Sequence, residues 1–172
     1  MSDKKPWQSP ATSMTHLLAR VYASFFGVGF IRIAPGTCGS LAACIPAYWL
    51  FQIKWPVQVV IWAMLYVIGQ WATEIIQQHS KDKDPSWVVI DEACAVWLLG
   101  ILHPFLGSIS HPVAFFICTF VLFRVFDIKK PWPVSTIDAI KTPWSVMCDD
   151  LAAMLMAVIV SRSLIEYIPP SF

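Results

Sequence analysis

Two pairs of adjacent acids, Asp91–Glu92 in "VVIDEACAVWLLG" and Asp149–Asp150 in "MCDDLAAM", each stand at the head of an apolar run. A single acid, Asp127, stands at the foot of another. A charge at such a depth costs several kcal/mol if it is left alone. Hard oxygen ligands from separate helices suit Mg²⁺, which takes one or two carboxylates and fills its other positions with water or phosphate oxygens. Neighbours on a helix point about 100° apart, so one member of each pair can face a metal while the other caps the helix or meets a base. Capping alone also accounts for either pair, because an acid at a helix N-terminus accepts N–H bonds and complements the macrodipole. It does not account for Asp127, near a helix C-terminus, where an ion pair with Arg124 three residues earlier is the plain alternative.

Groups fit for phosphate lie beside these acids. "IAPGTCGS" puts Pro35, Gly36 and Gly39 ahead of an apolar helix, with Thr37 and Ser40 as hydroxyls. Its N–H groups suit an anion at a helix N-terminus, and they equally suit a tight turn into a capped helix. No GK[ST] follows, so it is not a Walker A loop. "FRVFDIKKPWP" gathers Arg124, Asp127, Lys129 and Lys130 before Pro131 and Pro133 end the helix. Its lysines read either as positive-inside anchors or as contacts to phosphate or anionic lipid. "CTFVLFR" has the C-x₅-R spacing of cysteine-dependent phosphatases, but its intervening residues, Thr, Phe, Val, Leu and Phe, fall inside an expected span and present no N–H loop. His16, His79, His103 and His111 are scattered, and no Ser-His-Asp constellation is legible. The five cysteines form no CxxC pair and read as buried reduced thiols.

The elements that position these residues follow from composition. The 172 residues are 57% hydrophobic and 13% charged, with mean hydropathy +0.62. Soluble domains carry about 45–50% apolar and about 25% charged residues, so an all-α, polytopic membrane bundle of one domain is expected. A net charge of +1 gives no reason to invoke nucleic acid. Residues 55–73 lack any charged side chain and as a helix cover roughly 28 Å, a membrane's thickness. Residues 93–123 lack Asp, Glu, Lys and Arg, and "HPFLGSISHP" breaks them. The expected spans are 40–53, 55–73, 88–104, 112–126 and 150–168. An N-terminal interfacial segment precedes them, with residues 1–20 as a retained cytoplasmic tail, 21–168 as the membrane domain and 169–172 as a C-terminal tail.

Orientation follows from the bases. With the N-terminus, 74–87 and 127–149 inside, Lys4, Lys5, Arg20, Arg32, Lys81, Lys83, Arg124, Lys129, Lys130 and Lys141 are cytoplasmic, against Lys54 and Arg162 outside. Trp55, Trp71, Trp87, Trp132 and Trp144 read as interface anchors. Asp91, Glu92, Asp127, Asp149, Asp150 and the Pro35–Ser40 loop then converge on one cytoplasmic layer.

Four segments in order, "APGTCGSLAA", "VIDEACAVW", "FRVFDIKKPWPVSTID" and "MCDDLAAM", resemble the phosphatidylglycerophosphatase A family over about residues 24–160. The chain has "KTPWSV" where family members often carry glycines ahead of the Asp pair. The resemblance implies Mg²⁺-dependent removal of the terminal phosphate of phosphatidylglycerophosphate, giving phosphatidylglycerol, at the cytoplasmic face of a bacterial inner membrane. Carried over, it implies Asp91, Glu92, Asp127, Asp149 and Asp150 as the catalytic acids, with Asp127 and Asp150 the leading metal ligands and Asp91 and Glu92 beside them. Arg124, Lys130, Gly36, Thr37, Gly39 and Ser40 would hold the phosphate, joined by Arg32, which the layer itself places beside the Gly-rich turn. Two readings of another class compete. A small cation or proton transporter predicts acids spread through the membrane depth, and a non-catalytic subunit binding anionic lipid has no need of five carboxylates. The D-G-x-x-A-R motif of CDP-alcohol phosphotransferases is missing.

Overall fold

The computed structural model describes residues 13–80 and 82–166, which form seven α-helices and no strand. Lys4, Lys5, Lys81, the end of the last expected span and the C-terminal tail lie outside the described residues. Ser13 caps α1 (Met14–Ala23) by accepting from the His16 N–H at 3.1 Å. Proline at the first turn starts α2 (Pro35–Leu50) and α3 (Trp55–His79), where its missing N–H costs no helical bond. Then follow α4 (Ile90–Leu102), α5 (Pro112–Lys129), α6 (Val134–Asp138) and α7 (Pro143–Glu166). Lys130 adopts a left-handed conformation (φ 45°) that stops α5, and Pro131 prevents its continuation.

The core is α4. Every residue from Ile90 to Trp97 is buried, and the helix packs against α2, α3 and α7, while α5 packs on α7 and α1 on α3. Indole N–H groups tie the layers together: Trp97 donates to the Ala43 carbonyl at 2.8 Å and Trp62 to that of Cys94 at 2.9 Å. Thr119 and Ser161 hydroxyls join α5 to α7 at 2.6 Å. Each tie satisfies a polar group that would be costly to bury alone.

Three expectations are corrected. The Pro35–Ser40 segment is not a loop ahead of a span starting at 40 but the first turns of α2. Asp149 and Asp150 do not start the last helix, which begins at Pro143. Its cap is made by Thr142 and Ser145: the Ser145 N–H donates to Thr142 Oγ1 at 3.2 Å, and the Thr142 N–H to Ser145 Oγ at 2.9 Å. The five cysteines are all free, but only Cys94 is buried, and Cys44 is exposed.

Among the described residues, two helices are long and apolar enough to cross a membrane, Trp55–His79 and Pro143–Ile165. The other expected spans are shorter helices; α4, with 13 residues, covers roughly 20 Å. Apolar side chains nonetheless face outward in stripes: Val57, Val60, Met64, Val67 and Trp71 on α3, and Val113, Ile117, Val121, Val125 and Ile128 on α5. Of the five tryptophans read as anchors, Trp132 and Trp144 are the most exposed, whereas Trp87 is half-buried against Phe30.

Candidate active site

The starts of α2, α4 and α7 and the end of α5 meet around a cleft of about 410 Å³. Asp91 and Glu92 fall in the first turn of α4, where the helix dipole favours negative charge. Asp150 reaches the same point from α7. One carboxylate oxygen from each of Asp91, Glu92 and Asp150 lies within 4.8 Å of the others. All three residues are under a tenth exposed, and Glu92 Oε2 and Asp150 Oδ2 are buried without a hydrogen-bond partner. Converging buried carboxylates with orphan oxygens are unstable unless a proton or a cation compensates them. The donor set is all hard oxygen, which fits a divalent cation such as Mg²⁺.

Asp127 is not one of the three whose oxygens all lie within 4.8 Å of one another, but its carboxylate neighbours that of Asp150. Its Oδ2 accepts from Arg124 Nη1 at 2.9 Å, so it orients the guanidinium. The same Nη1 lies 3.6 Å from Glu92 Oε1 and donates to Ser40 Oγ at 3.3 Å. Ser40 in turn donates to the Gly36 carbonyl at 2.8 Å. Arg124 Nε is buried without a partner, leaving a donor for an anion.

The Pro35–Ser40 segment owes its approach to its glycines. A Cβ on Gly36 would collide with Glu92 Oε1 and lie 2.8 Å from Arg124 Nη2. A Cβ on Gly39 would lie 2.7 Å from that of Val89, so Gly39 sets the α2–α4 packing instead of lining the cleft. Thr37 lines the cleft, while Ser40 is wholly buried beneath it. Arg32 is exposed in the loop before α2 and is not among the lining residues.

Lys130 closes the other side of the cleft. Its Nζ donates to Asp149 Oδ2 at 2.6 Å and to Asp138 Oδ1 at 2.5 Å, and Lys141 holds the same Asp138 at 2.8 Å. Burial would lower the Lys130 pKa, but its hydrogen bonds to Asp138 and Asp149 raise it overall. Burial would raise that of Asp138, and the two lysines outweigh this and hold it below the usual carboxylate range.

Asp84 and Ser86 also line the cleft, and neither was among the expected site residues, since they belong to the loop before α4 and not to an acid pair at the head of an apolar run. Asp84 is exposed at the cleft rim, where partial desolvation raises its carboxyl pKa against the pull of Lys130 and Lys141. Asp138 was missed too. It lies inside a segment singled out for other residues, and its contact with Lys130 depends on the turn made by α6.

The sequence model described as phosphatidylglycerophosphatase A matches residues 21–165. A phosphatidylglycerophosphatase A of Haemophilus influenzae is 31% identical, over 78% of this chain and 81% of its own. One of Escherichia coli is also 31% identical, over 74% of this chain and 72% of its own. A protein of Bacteroides thetaiotaomicron, provisionally named a phosphatidylinositol-3-phosphatase, is 36% identical over 74% of this chain and 81% of its own. No solved structure matches. The chain belongs to the phosphatidylglycerophosphatase A family of phosphoric monoester hydrolases.

Proposed function

We propose that the chain hydrolyses the terminal phosphomonoester of phosphatidylglycerophosphate, with Mg²⁺ as cofactor, to give phosphatidylglycerol and phosphate. The observation that carries this reading is the buried Asp91–Glu92–Asp150 group with its orphan oxygens, set beside Arg124 with its orphan Nε. Asp91, Glu92 and Asp150 would hold the cation, which when bound supplies charge for the phosphoryl oxygens. Arg124 binds the phosphate, with Asp127 and Ser40 fixing the guanidinium plane. The Gly36–Thr37 backbone at the start of α2 faces the same anion. In the reaction the oxygen of water bonds to phosphorus, the ester P–O bond breaks, and the departing oxygen takes a proton.

The membrane topology belongs to the same proposal. Outward apolar stripes on helices whose polar residues gather at one end suit a bundle embedded in lipid, with α2, α3, α4, α5 and α7 as the five spans. The positive-inside bias then puts the cleft on the cytoplasmic face of the bacterial inner membrane.

The test is phosphate release by detergent-purified protein with Mg²⁺ or with EDTA, beside Asp150→Asn. Release that requires Mg²⁺ and is lost in a folded Asp150→Asn protein is expected. A folded wild-type protein that releases none would overturn the reading. The name of the Bacteroides relative favours a second headgroup, so phosphatidylinositol 3-phosphate is the comparison substrate. Faster release from it would reassign the headgroup and leave the chemistry in place.

A further inference from the structure

The polar cleft has an apolar neighbour. A second cavity, of about 300 Å³, opens between the same four helices. Cys44, Ala47 and Tyr48 of α2 form one wall, Phe116 and Phe120 of α5 the other, with α4 and Met154 of α7 behind. No charged side chain lines it. Because α2, α4 and α7 start at the polar cleft and α5 ends there, the cavity lies deeper along every one of them. From Asp150 to Met154, and from Arg124 back to Phe116, the helical rise puts it roughly 6–12 Å below the carboxylates. Tyr48 is 64% exposed, so the groove opens sideways, toward the surface that carries the apolar stripes. Arg124, bonded across to Ser40, marks the boundary between the two compartments.

We infer that the apolar compartment seats one acyl chain of the substrate lipid while the terminal phosphate occupies the polar compartment, so that the protein reads the chain as well as the headgroup. The inference rests on the lipid-phosphatase reading above. The offset between compartments is of the same order as the glycerol–phosphodiester–glycerol unit that separates a terminal phosphate from the acyl carbons. Its four helices are those of the polar cleft, roughly one to two turns further along each, and this singles out the groove. Another apolar hollow, lined by Leu18, Val21, Ile68 and Trp71 on α1 and α3, shares neither helix with the cleft.

Two measurements test this. The first compares kcat/KM for dioleoyl- and dihexanoyl-phosphatidylglycerophosphate in wild type, in Cys44→Phe, which fills the groove, and in Ile45→Phe, which faces outward. Losing even two buried methylenes is worth about tenfold, so the long-to-short ratio should fall about tenfold or more in Cys44→Phe and hold in Ile45→Phe. An equal ratio in all three would overturn the inference, and turnover of the short substrate reports folding in the same sample. The second illuminates wild-type protein with phosphatidylglycerophosphate carrying a diazirine at mid-chain. Adducts at Cys44, Ala47, Phe51, Phe116 or Phe120 support the groove, and adducts confined to the α1–α3 hollow or the outer stripes overturn it. Wild-type protein that hydrolyses neither substrate overturns the phosphatase reading, and the adduct map then still decides where the chain sits.

Discussion

Lys130 and Asp149 are bonded at 2.6 Å across 19 residues of sequence, and this pair joins the end of α5 to the start of α7. Asp149 is 3% exposed, so removing the lysine strands a buried carboxylate. Lys130→Met is expected to lower stability by about 2 kcal/mol, below the full value for a wholly buried pair because Lys130 reaches solvent. Thermal unfolding in detergent of Lys130→Met, Asp149→Asn and the double variant checks this. Additive losses would show that the two residues are not coupled.

The pH dependence of this junction has a definite sign. Asp138 titrates below its unfolded value, since its lysine hydrogen bonds outweigh burial. Its contribution is therefore present above the ordinary Asp pKa of about 3.9 and is lost as pH falls through the lower folded value. Lys130 titrates above its unfolded value. Its contribution is present below about pH 10.4 and is lost as pH rises through the higher folded value. The contacts of Asp138 with its two lysines should thus be pH-independent between about pH 5 and 10. Comparing the melting temperature of Asp138→Asn with wild type across pH gives a constant difference in that window, narrowing below it. A difference that grows on acidification would contradict the assignment.

Gly36→Ala tests the close approach of α2 to the carboxylates. The added methyl meets Glu92 Oε1 and the Arg124 guanidinium, both of which are held by other contacts. Overpacking of this kind costs about 1–3 kcal/mol, and displacing groups that position a reacting phosphate by about 1 Å costs about a hundredfold in rate. Activity should fall about a hundredfold while the protein still folds, as read from kcat/KM beside the melting temperature.

Much of this site was legible in the sequence because it is built from helix ends. The charge-free run located the start of α3 and Pro112 that of α5, and the layer of acids followed from the order of apolar runs; the start of α2 was set late, at 40, because Gly36 and Gly39 read as a loop. What was misplaced has local causes. The start of α7 was set too late because the acids interrupt the apolar run, and "KTPWSV" contains the Thr142–Ser145 cap that begins the helix. Arg32 was grouped with the site by nearness in sequence to Pro35, yet the turn before α2 leaves it in solvent. The division of labour between Asp127, which holds Arg124, and Asp150, which meets Asp91 and Glu92, depends on how α5 and α7 rotate against each other. No spacing rule within one helix specifies that rotation.

That division predicts different outcomes for the two acids. Mg²⁺ should raise the melting temperature of wild type, because a ligand that binds the folded state stabilises it by about 2.7 kcal/mol at a hundred times its Kd. Asp150→Asn should abolish this gain and reduce kcat by about a thousandfold or more. Asp127→Asn should keep the gain and raise KM, since it loosens Arg124 and leaves the three-carboxylate group intact. Mg²⁺ titrations by thermal shift, alongside steady-state rates, separate the two. Loss of the Mg²⁺ response in Asp127→Asn alone would move the cation site to Asp127.

The outward stripe on α5 supplies a test of embedding that needs no substrate. Ile117 is 61% exposed and sits within one turn of the middle of the helix. On a water-facing surface, Ile117→Lys would change stability by no more than about 0.5 kcal/mol. At the centre of a membrane-spanning helix a lysine costs about 2.5–3.5 kcal/mol. Membrane-fraction yield and detergent melting temperature should therefore drop sharply for Ile117→Lys and hold for Ile117→Leu. Equal yields for the two would place α5 outside the lipid and remove the five-span arrangement.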